Sequence, residues 1–359
     1  MKHDLIRVLS LCLLAGMILA GCGGNAPGTT EVPAGETTVE TVPETTKREV
    51  TIVGDSMRHL TYNIAGSNSL ERIPNFDLNE NKKANIKKYI EEIDPDTFGI
   101  QEAPKAWIEG MVGLLDNKYA MVGGTHEQIV DNEKFWFNPI YYKVDTFNLL
   151  DGGALFLNEG FGYDKSNRNA AFALLERISD GELVLIFSLH LEHRGLGTEE
   201  VKTYNYTNYL YDGDDRNCLR DEQVEYLCKA INAKLTEYAG KYDKEISVLV
   251  SGDFNINQWQ DEDYTNEYTR LRQSFAAMEM SPGMQDTSAV CANLVTNQSR
   301  EKWQTYRDTF TPEARFARLD YVFASNNLVI DSFTVFNTPA DMGDSSDHHP
   351  VYTDYFIGH

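Results

Sequence analysis

Residues 248–256 read VLVSGDFNI, an apolar run that closes in Asp253 and Asn255. Continuous aliphatic runs of this kind are typical of central β-strands that are buried on both faces. Gly252 permits a tight turn, which would aim the two polar side chains out of the end of the strand. A carboxylate there can orient or deprotonate a water molecule, and a carboxamide can donate to a phosphate oxygen. Taken alone, the pair is better explained as an ordinary turn, because Asp and Asn are common turn residues.

The same arrangement recurs on both sides of this stretch. Polar side chains stand beside apolar runs in LTYN (Asn63), FGIQEA (Glu102), IFSLHLEH (His190 and His193), RLDYVFAS (Asp320) and SSDHHPVY (Asp347 and His348). By itself, His190 is either a satisfied core histidine or a proton donor facing a cleft, and His193 is a neighbour or a substrate contact. Ordinary explanations would have to hold independently at every one of these sites. Because binding and catalysis concentrate on loops held by rigid strands, the set predicts a metal-dependent phosphoester site.

The residue types on either side suit that chemistry. One or two carboxylates are enough to bind Mg²⁺, and Glu102 follows an apolar run that would hold it rigidly. Asp347 and His348 are adjacent on irregular backbone, so they can point in different directions, one to a metal and one to a phosphate. Asp320 can hydrogen-bond His348 and thereby set its tautomer and orientation.

Strand-like runs continue along the chain and alternate with amphipathic segments. The runs are residues 50–53, 60–64, 97–100, 119–122, 140–142, 170–178, 183–189, 246–250, 319–324, 329–335 and 351–356. Apolar side chains at helical spacing predict helices near residues 86–93, 105–115, 224–235 and 266–278. Many strands with a few helices predict an α/β sandwich, in which two packed sheets have helices outside. The irregular segment 194–217 is either a loop over the site or a solvated insertion.

Read together, these motifs resemble those of the endonuclease/exonuclease/phosphatase superfamily. Its members include pancreatic-type deoxyribonuclease, abasic-site endonucleases, bacterial sphingomyelinases, inositol polyphosphate 5-phosphatases and deadenylases. The resemblance covers nearly all of residues 49–359 and implies a four-layer α/β sandwich of two mainly antiparallel sheets flanked by helices. It also implies a hydrolase of phosphoester bonds that depends on Mg²⁺, with Mn²⁺ as an alternative.

The resemblance further implies where the metal and the attacking water lie. Asn63 and Glu102 would sit at the metal, with Asp347 beside it. Asp253 would orient or activate the attacking water, and Asn255 would hold the phosphate.

The same resemblance assigns the proton transfers to His190 and His348, which would both contact the scissile phosphate, with Asp320 supporting His348. Arg168, in SNRNAAFALLER, is expected to contact the phosphate. One departure concerns a Glu that many relatives carry shortly before the Ile-Phe-Tyr-like run. Here FWFN precedes that run, and Glu133 is the nearest carboxylate.

The N-terminus has the features of an export signal. Lys2 and Arg7 precede an apolar stretch at residues 8–20, which ends in Leu-Ala-Gly-Cys22. This pattern is typical of a secretory signal and resembles the lipobox of bacterial lipoproteins, although a permanent membrane anchor is the alternative. We therefore expect a signal peptide at residues 1–21, a lipidated Cys22 that begins a disordered acidic tether at residues 22–48, and a catalytic domain at residues 49–359. The expected location is the cell surface or another extracytoplasmic compartment, with the lipid anchored in the bacterial membrane.

Charge and cysteine content bear on the substrate and the redox state. The formal net charge is −23, and removal of residues 1–21 leaves −24. Such a charge repels nucleic acid at long range, although it permits turnover in a cleft that holds a cation. Cys218, Cys228 and Cys291 remain in the predicted domain, where a Cys218–Cys228 bridge stays open and a buried thiol is the favoured role of Cys228.

These observations favour a monomeric, membrane-anchored phosphoesterase, with a nuclease placed first. The alternative within the class is a lipid or inositol-phosphate phosphoesterase similar to sphingomyelinase. The alternative from another class is a non-catalytic lipoprotein that binds a ligand in the same cleft. The complete polar set argues against a binding module, because binding alone would not need both histidines and the carboxylates around them.

Overall fold

The computed structural model describes residues 51–65, 80–103, 105–123, 138–157, 168–192, 219–256, 262–278, 283–291, 293–294, 305–307, 316–336 and 346–359. All of them belong to one compact unit, Glu49–His359. The predicted signal and tether, His193, the segment 194–217, Glu133 and Cys218 lie outside the described residues. Among the described residues, no helix is both long enough and apolar enough to cross a membrane.

The strands and helices alternate along the chain. In chain order, the described strands are β1 (Ile52–Asn63), β2 (Thr97–Gln101), β3 (Tyr119–Val122), β4 (Ile140–Lys143), β5 (Phe147–Phe156), β6 (Asn169–Arg177), β7 (Leu183–His190), β8 (Ile246–Asp253), β9 (Met284–Asp286), β10 (Asn293–Leu294), β11 (Tyr306–Arg307), β12 (Phe316–Ala317), β13 (Asp320–Ser325), β14 (Leu328–Val335) and β15 (Val351–Gly358). The described helices are α1 (Glu80–Ile93), α2 (Lys105–Leu114), α3 (Leu219–Ala239), α4 (Glu262–Ala276) and the single-turn α5 (Thr287–Val290).

The described strands form two large sheets and one small one. The first sheet has the order β10-β14-β15-β1-β2-β4-β3, and the second has the order β5-β6-β7-β8-β13-β9. Neighbours are parallel in β1–β2, β7–β8 and β10–β14 and antiparallel in the other pairs of both sheets. β11 and β12 form a separate two-stranded pair. The predicted sandwich of mainly antiparallel sheets is confirmed.

In the described part of the chain, three apolar clusters hold the layers together. Between the sheets, side chains such as Val184, Ile186 and Leu249 of the second sheet pack with Val351 and Tyr355 of the first. α1 and α2 cover the outer face of the first sheet through Ile86, Tyr89, Ile90, Trp107 and Met111. α3 and α4 cover the outer face of the second sheet through Val224, Leu227, Ile231, Leu271 and Phe275. A strand such as β7 is therefore buried on both faces, which explains its unbroken apolar run.

One strand prediction was wrong in detail, and β5 and the short strands β9 to β12 were not predicted. The runs 50–53 and 60–64 belong to one strand, β1, whose register against β15 shifts between Val53 and Met57. The polar residues Gly54, Asp55 and Ser56 at that irregularity conceal the continuity of the strand. β5 was not predicted, because it is an edge strand with two glycines and is mostly half-buried or exposed.

A line of buried polar side chains runs between the sheets. Its members are His59, Thr61, Thr97 and Gln101 from the first sheet and Ser188 and Ser251 from the second. The Thr61 hydroxyl donates to Gln101 Oε1 at 3.2 Å, and Gln101 Nε2 donates to Ser188 Oγ at 3.1 Å. Since buried polar groups require partners, the hydrogen bond between Gln101 and Ser188 joins the two sheets just below the strand ends that carry the predicted site.

Candidate active site

Strand register brings the predicted site residues to one edge of the sandwich. His190 and Asp320, at the ends of β7 and β13, both stand opposite Asp253 of β8. In the first sheet, Asn63 at the end of β1 stands opposite Gln101, and Glu102 follows directly. Residues that are distant in sequence therefore meet because neighbouring strands end together.

Asp253 lies at the centre of this arrangement and is 2% exposed. Its Oδ2 accepts a hydrogen bond from Asn63 Nδ2 at 2.9 Å, and its Oδ1 accepts one from the Asn255 backbone N–H at 2.8 Å. Asn63 Nδ2 also lies 3.3 Å from Glu102 Oε1. The amide of Asn63 therefore lies between two carboxylates that belong to different sheets.

Both histidines face the same carboxylate oxygen. Asp253 Oδ2 lies 3.4 Å from His190 Nε2 and 3.7 Å from His348 Nε2. His348 donates through Nδ1 to Asp320 Oδ2 at 2.8 Å, while His190 Nδ1 lies 3.9 Å from Glu102 Oε1. The predicted support of His348 by Asp320 is present, and it leaves the Nε2 atoms of both rings beside Asp253.

Burial and charge shift the pKa values of this cluster. Burial raises the pKa of Asp253 above its ordinary value, and the nearby Asp320 adds to this effect, although His348 opposes it. Burial lowers the pKa of His348, but the carboxylate of Asp320, together with the hydrogen bond between them, outweighs burial. With smaller contributions from Asp253 and Asp347, the pKa of His348 rises to about 10. The arrangement thus favours a charged His348 beside a carboxyl group that protonates more readily than usual.

Backbone conformation is unusual at this edge. Glu102 has φ 58° and Asn255 has φ 53°, both in the left-handed region. Asn tolerates this region, whereas for Glu it costs on the order of 1–3 kcal/mol and persists only where the surroundings enforce it. The expected role of Gly252 needs correction, since it lies within β8 rather than in the turn. Its φ is 149°, and a Cβ there would lie 2.0 Å from Leu189 O, so the close approach of β7 requires glycine.

Leu191 and Glu192 follow His190, and each of their backbone N–H and C=O groups makes a hydrogen bond. Leu191 N–H donates to Asp253 O at 2.9 Å, and Leu191 O accepts from Asn255 Nδ2 at 3.0 Å. Glu192 N–H donates to Gln223 Oε1, and Glu192 O accepts from Arg220 Nη1, each at 3.0 Å. Side chains near the start of α3 therefore hold the backbone directly after His190, a candidate catalytic residue.

These contacts also locate two of the predicted substrate contacts. One amide proton of Asn255 is used by Leu191, so a phosphate contact would use the other. Arg168 precedes β6, and its Nη2 lies 3.5 Å from Glu192 Oε1. Arg220 and Gln223 were not anticipated, because their signal is only a polar pair in the first turn of an amphipathic helix.

The family model described as "Endonuclease/Exonuclease/phosphatase family" matches residues 60–348. The chain belongs to the endonuclease/exonuclease/phosphatase family. Hydrolases of this family act on phosphoester bonds. No curated protein matches the chain.

Several solved structures share the family fold. An endonuclease/exonuclease/phosphatase from Bacteroides vulgatus is similar at 18% identity and a TM-score of 0.59, covering 85% of this chain and 100% of that one. A mannosyl-6-phosphatase from Bacteroides thetaiotaomicron has 18% identity and a TM-score of 0.55, covering 83% and 99%. D. rerio TDP2 in complex with single-strand DNA product has 14% identity and a TM-score of 0.54, covering 84% and 99%. At these identities, the likeness establishes the fold alone.

The predicted metal ligands lie on separate segments at the same edge of the sandwich. Asn63 ends β1, Glu102 follows β2, and Asp347 precedes β15; all three are buried. Ser346 Oγ donates to Asn63 O at 2.6 Å, which ties the segment with Asp347 to the end of β1. The carboxylates of Glu102 and Asp347 are oxygen donors that fit a hard divalent cation such as Mg²⁺. Asn63 turns Nδ2 toward Glu102, and its Oδ1 accepts from Ala65 N–H at 2.9 Å, so Asn63 remains a predicted ligand.

A second group of potential metal ligands consists of three candidate catalytic residues. Ligand atoms of Asp253, Asp320 and His348 lie within 4.8 Å of one another. His348 Nδ1 already donates to Asp320 Oδ2 at 2.8 Å, so these residues form a hydrogen-bonded network. The oxygen donors around Glu102 are therefore the better candidates for a cation.

Proposed function

We propose that this chain is a divalent-metal-dependent phosphoesterase that hydrolyses phosphodiester or phosphomonoester bonds by in-line attack of water. The observation that carries the proposal is the position of Asp253 Oδ2, which lies within 3.7 Å of the Nε2 atoms of His190 and His348. Such hydrolysis needs a group that takes the proton of the water and a group that protonates the leaving oxygen. A carboxylate between two imidazoles, at one end of a sandwich, supplies both kinds of group.

The proposed roles follow from these contacts. Asn63, Glu102 and Asp347 would hold Mg²⁺ or Mn²⁺, which would neutralise the charge of the phosphate. Asp253 orients the attacking water and accepts its proton. Asp320 keeps Nδ1 of His348 engaged, so Nε2 faces the phosphate.

Further side chains complete the proposed site. His190 presents Nε2 from the neighbouring strand, where it contacts the phosphate and shares in proton transfer. The second amide proton of Asn255 donates to a phosphate oxygen. Arg168 and His193 are proposed as outer substrate contacts.

Among substrates, we place nucleic acid first, so the proposed activity is that of a nuclease. In support, TDP2, a protein of similar fold, has been solved with single-strand DNA product. A lipid or inositol-phosphate substrate is the second candidate, because the net charge of −23 repels the extended phosphate backbone of nucleic acid at long range. A non-catalytic lipoprotein is the alternative from another class, and the buried carboxylate–histidine set speaks against it.

The proposed location follows from the N-terminal sequence. A signal ending in Leu-Ala-Gly-Cys22 supports export and attachment through lipidated Cys22 to the outer face of a bacterial membrane. The protein would act there as a monomer on extracytoplasmic phosphoesters.

A substrate screen with a matched variant tests this function. The purified chain is assayed with Mg²⁺ or Mn²⁺ against plasmid DNA, RNA, sphingomyelin, inositol phosphates, mannose 6-phosphate and bis-p-nitrophenyl phosphate. We expect turnover that chelation abolishes, that Asp253→Asn loses and that His359→Ala retains, since His359 lies at the opposite end of β15. Turnover that persists in excess chelator would refute the metal-dependent mechanism. Absence of turnover on every substrate would favour the binding protein.

A further inference from the structure

Thr305 contacts both segments that carry the Asp320–His348 pair. It is fully buried, directly precedes β11, and donates its backbone N–H to Ala317 O at 3.0 Å. The polar segment around it gave no sign of this role in the sequence, because no apolar run precedes it.

The hydroxyl of Thr305 fixes the backbone that presents Asp320. Its Oγ1 accepts hydrogen bonds from the N–H of Leu319 at 2.9 Å and from the N–H of Asp320 at 3.1 Å. On the other side, Leu319 O accepts from Phe254 N–H at 2.8 Å, next to Asp253. The backbone at Asp320 is therefore held between Thr305 and the end of β8.

The carbonyl group of Thr305 fixes the segment that presents His348. Thr305 O accepts a hydrogen bond from His349 N–H at 2.7 Å, and His348 N–H donates to Ser346 Oγ at 3.0 Å. Asp320 begins a strand of the second sheet, whereas His348 precedes a strand of the first. Their side-chain contact thus depends on two segments from different sheets, and Thr305 binds both.

We propose that Thr305 is a positioning residue that sets the distance and angle between Asp320 and His348. This inference rests on the proposed phosphoesterase function, because the pair is part of that site. Thr305 does not touch the reacting atoms; it acts through the two backbone segments. A displacement of about 1 Å between reacting groups can cost on the order of 10²-fold in rate, so loss of the hydroxyl should appear in kcat.

Two substitutions separate the acceptor from the shape of the side chain. Thr305→Val keeps the branched shape and removes the acceptor, whereas Thr305→Ser keeps the acceptor. The control is Thr353→Val, which removes the hydroxyl of another fully buried threonine, one that donates to Ser332 O at 2.6 Å within the first sheet. We expect Thr305→Val to lower kcat by about 10- to 100-fold with little change in KM, and Thr305→Ser and Thr353→Val to stay close to wild type.

A double-mutant comparison separates positioning from general destabilisation. In a His348→Ala background, Thr305→Val should lower kcat no further, because residues that act as a unit are non-additive. Wild-type kcat in Thr305→Val, equal losses in the Ser and Val variants, or a full additional loss in the His348→Ala background would each overturn the proposal. If Thr305→Val does not fold, Thr305→Ala removes the same acceptor without the branched bulk.

A readout that needs no substrate keeps this inference distinct from the function itself. In the full-length chain, the Nδ1–H proton of His348 is identified by NMR as a downfield resonance that His348→Ala removes. It should be present in wild type and Thr305→Ser and be broadened or lost in Thr305→Val and Thr305→Ala. An unchanged resonance in both acceptor-deleting variants would refute the positioning role even if no phosphoester substrate were known. Conversely, its loss without any measurable turnover in wild type would count against the proposed function alone.

Discussion

Asp320 reaches Nδ1 of His348 at 2.8 Å, and this contact determines which ring nitrogen faces Asp253. A carboxylate can only accept, so Nδ1 carries the proton and Nε2 is directed at the site. The identity of one atom thereby decides whether His348 can exchange a proton with a substrate.

The first prediction concerns His190 and the pair formed by Asp320 and His348. His190→Ala and His348→Ala should each lower the single-turnover rate by about 10²–10⁴-fold, the usual contribution of general acid–base groups. Asp320→Asn should lower it less, and His348→Ala should largely mask the Asp320→Asn effect. His359→Ala is the control, since His359 pairs with Glu182 at the other end of the sandwich. A folded His190→Ala or His348→Ala variant with the wild-type rate would remove that residue from the mechanism.

The second prediction concerns Glu102 as a metal ligand. Glu102→Gln keeps the shape of the side chain and removes its charge, so it should be almost inactive. A ligand that binds only the folded state raises the melting temperature, so Mg²⁺ should stabilise wild type and have little effect on Glu102→Gln. Glu182→Gln, which alters a carboxylate away from the site, is the control for general charge effects. Equal stabilisation of wild type and Glu102→Gln would exclude Glu102 as a main ligand.

At the scale of elements, the site depends on the close contact between β7 and β8. These two strands are parallel, and their register sets His190 opposite Asp253. Gly252 lets the backbones approach, because any Cβ there would collide with Leu189 O. Glycine at this position is a requirement of strand packing, and the catalytic register follows from it.

The third prediction compares two glycine substitutions of opposite sign. Gly252→Ala should destabilise the fold by more than about 1 kcal/mol, since it combines positive φ with a backbone collision. Gly113→Ala should instead stabilise it by roughly 0.5–1 kcal/mol, because Gly113 is an exposed residue of α2 with open space around its Cα. Urea unfolding measures both. A neutral Gly252→Ala would mean that β7 and β8 can separate at little cost.

Strands were predicted correctly from the sequence where they are fully buried, and less well at the edges of the sheets. β7 and β8 are buried along their whole length, so their apolar runs identified them directly. β5 is an edge strand with one weakly covered face, so no such run marks it. The predicted helix at 224–235 corresponds to α3, where Val224, Leu227 and Ile231 are buried. Cys228 is a buried free thiol, as favoured from its place on that helix face, and Cys291 is also free.

At the scale of the whole molecule, His59 joins the two sheets. It is fully buried, with Nδ1 at 2.9 Å from Thr97 Oγ1 of the first sheet and Nε2 at 2.7 Å from Ser251 Oγ of the second. Burial lowers the pKa of His59 to about 3, so the ring stays neutral in the folded protein at ordinary pH.

The fourth prediction is a pH dependence of stability that arises from His59. In the unfolded chain its pKa is about 6.5, so below that pH the unfolded state binds a proton that the folded state does not. The contribution of His59 to stability is therefore fully present above pH 6.5 and is lost progressively as the pH falls from about 6.5 toward 3, at up to about 1.4 kcal/mol per pH unit. The pKa of His348 is raised instead. Its contribution to stability is therefore fully present below about pH 6.5 and is lost as the pH rises toward about 10.

Urea unfolding between pH 5 and 7 tests this dependence. His59→Gln should be less stable than wild type at pH 7, but its stability should decline less steeply toward pH 5. His359→Ala is the control at a partly exposed histidine outside the contact between the sheets. Parallel pH curves for wild type and His59→Gln would show that His59 does not titrate on unfolding.

The fifth prediction concerns attachment of the whole chain. Cys22→Ser should release the protein from the membrane fraction or block its maturation, because the proposed lipid is carried by that thiol. Cys12→Ser, within the predicted signal, is the matched control and should leave both unchanged. Membrane retention and processing that are unaffected by Cys22→Ser would contradict the lipoprotein reading.

Local sequence is enough to show which side chains stand at strand ends. Burial of a strand on both faces requires an unbroken apolar run, and the point where that run stops is visible locally, as at His190, Asp253 and Asn63. For the same reason, the two-sheet architecture could be predicted from a count of runs and helices. The N-terminal signal is also a local pattern, and it remains a prediction.

Which of those strand ends touch is visible in the folded structure and not in the sequence. Asp253 meets Asn63 across 190 positions of sequence, and His348 meets Asp320 across 28. Such contacts depend on the register between strands and on the packing of one sheet against the other, which no local pattern encodes. Thr305 is the clearest example of a role that the local sequence does not show. It is an ordinary polar residue in sequence, and it acquires a role only because the fold brings Asp320 and His349 to its two sides.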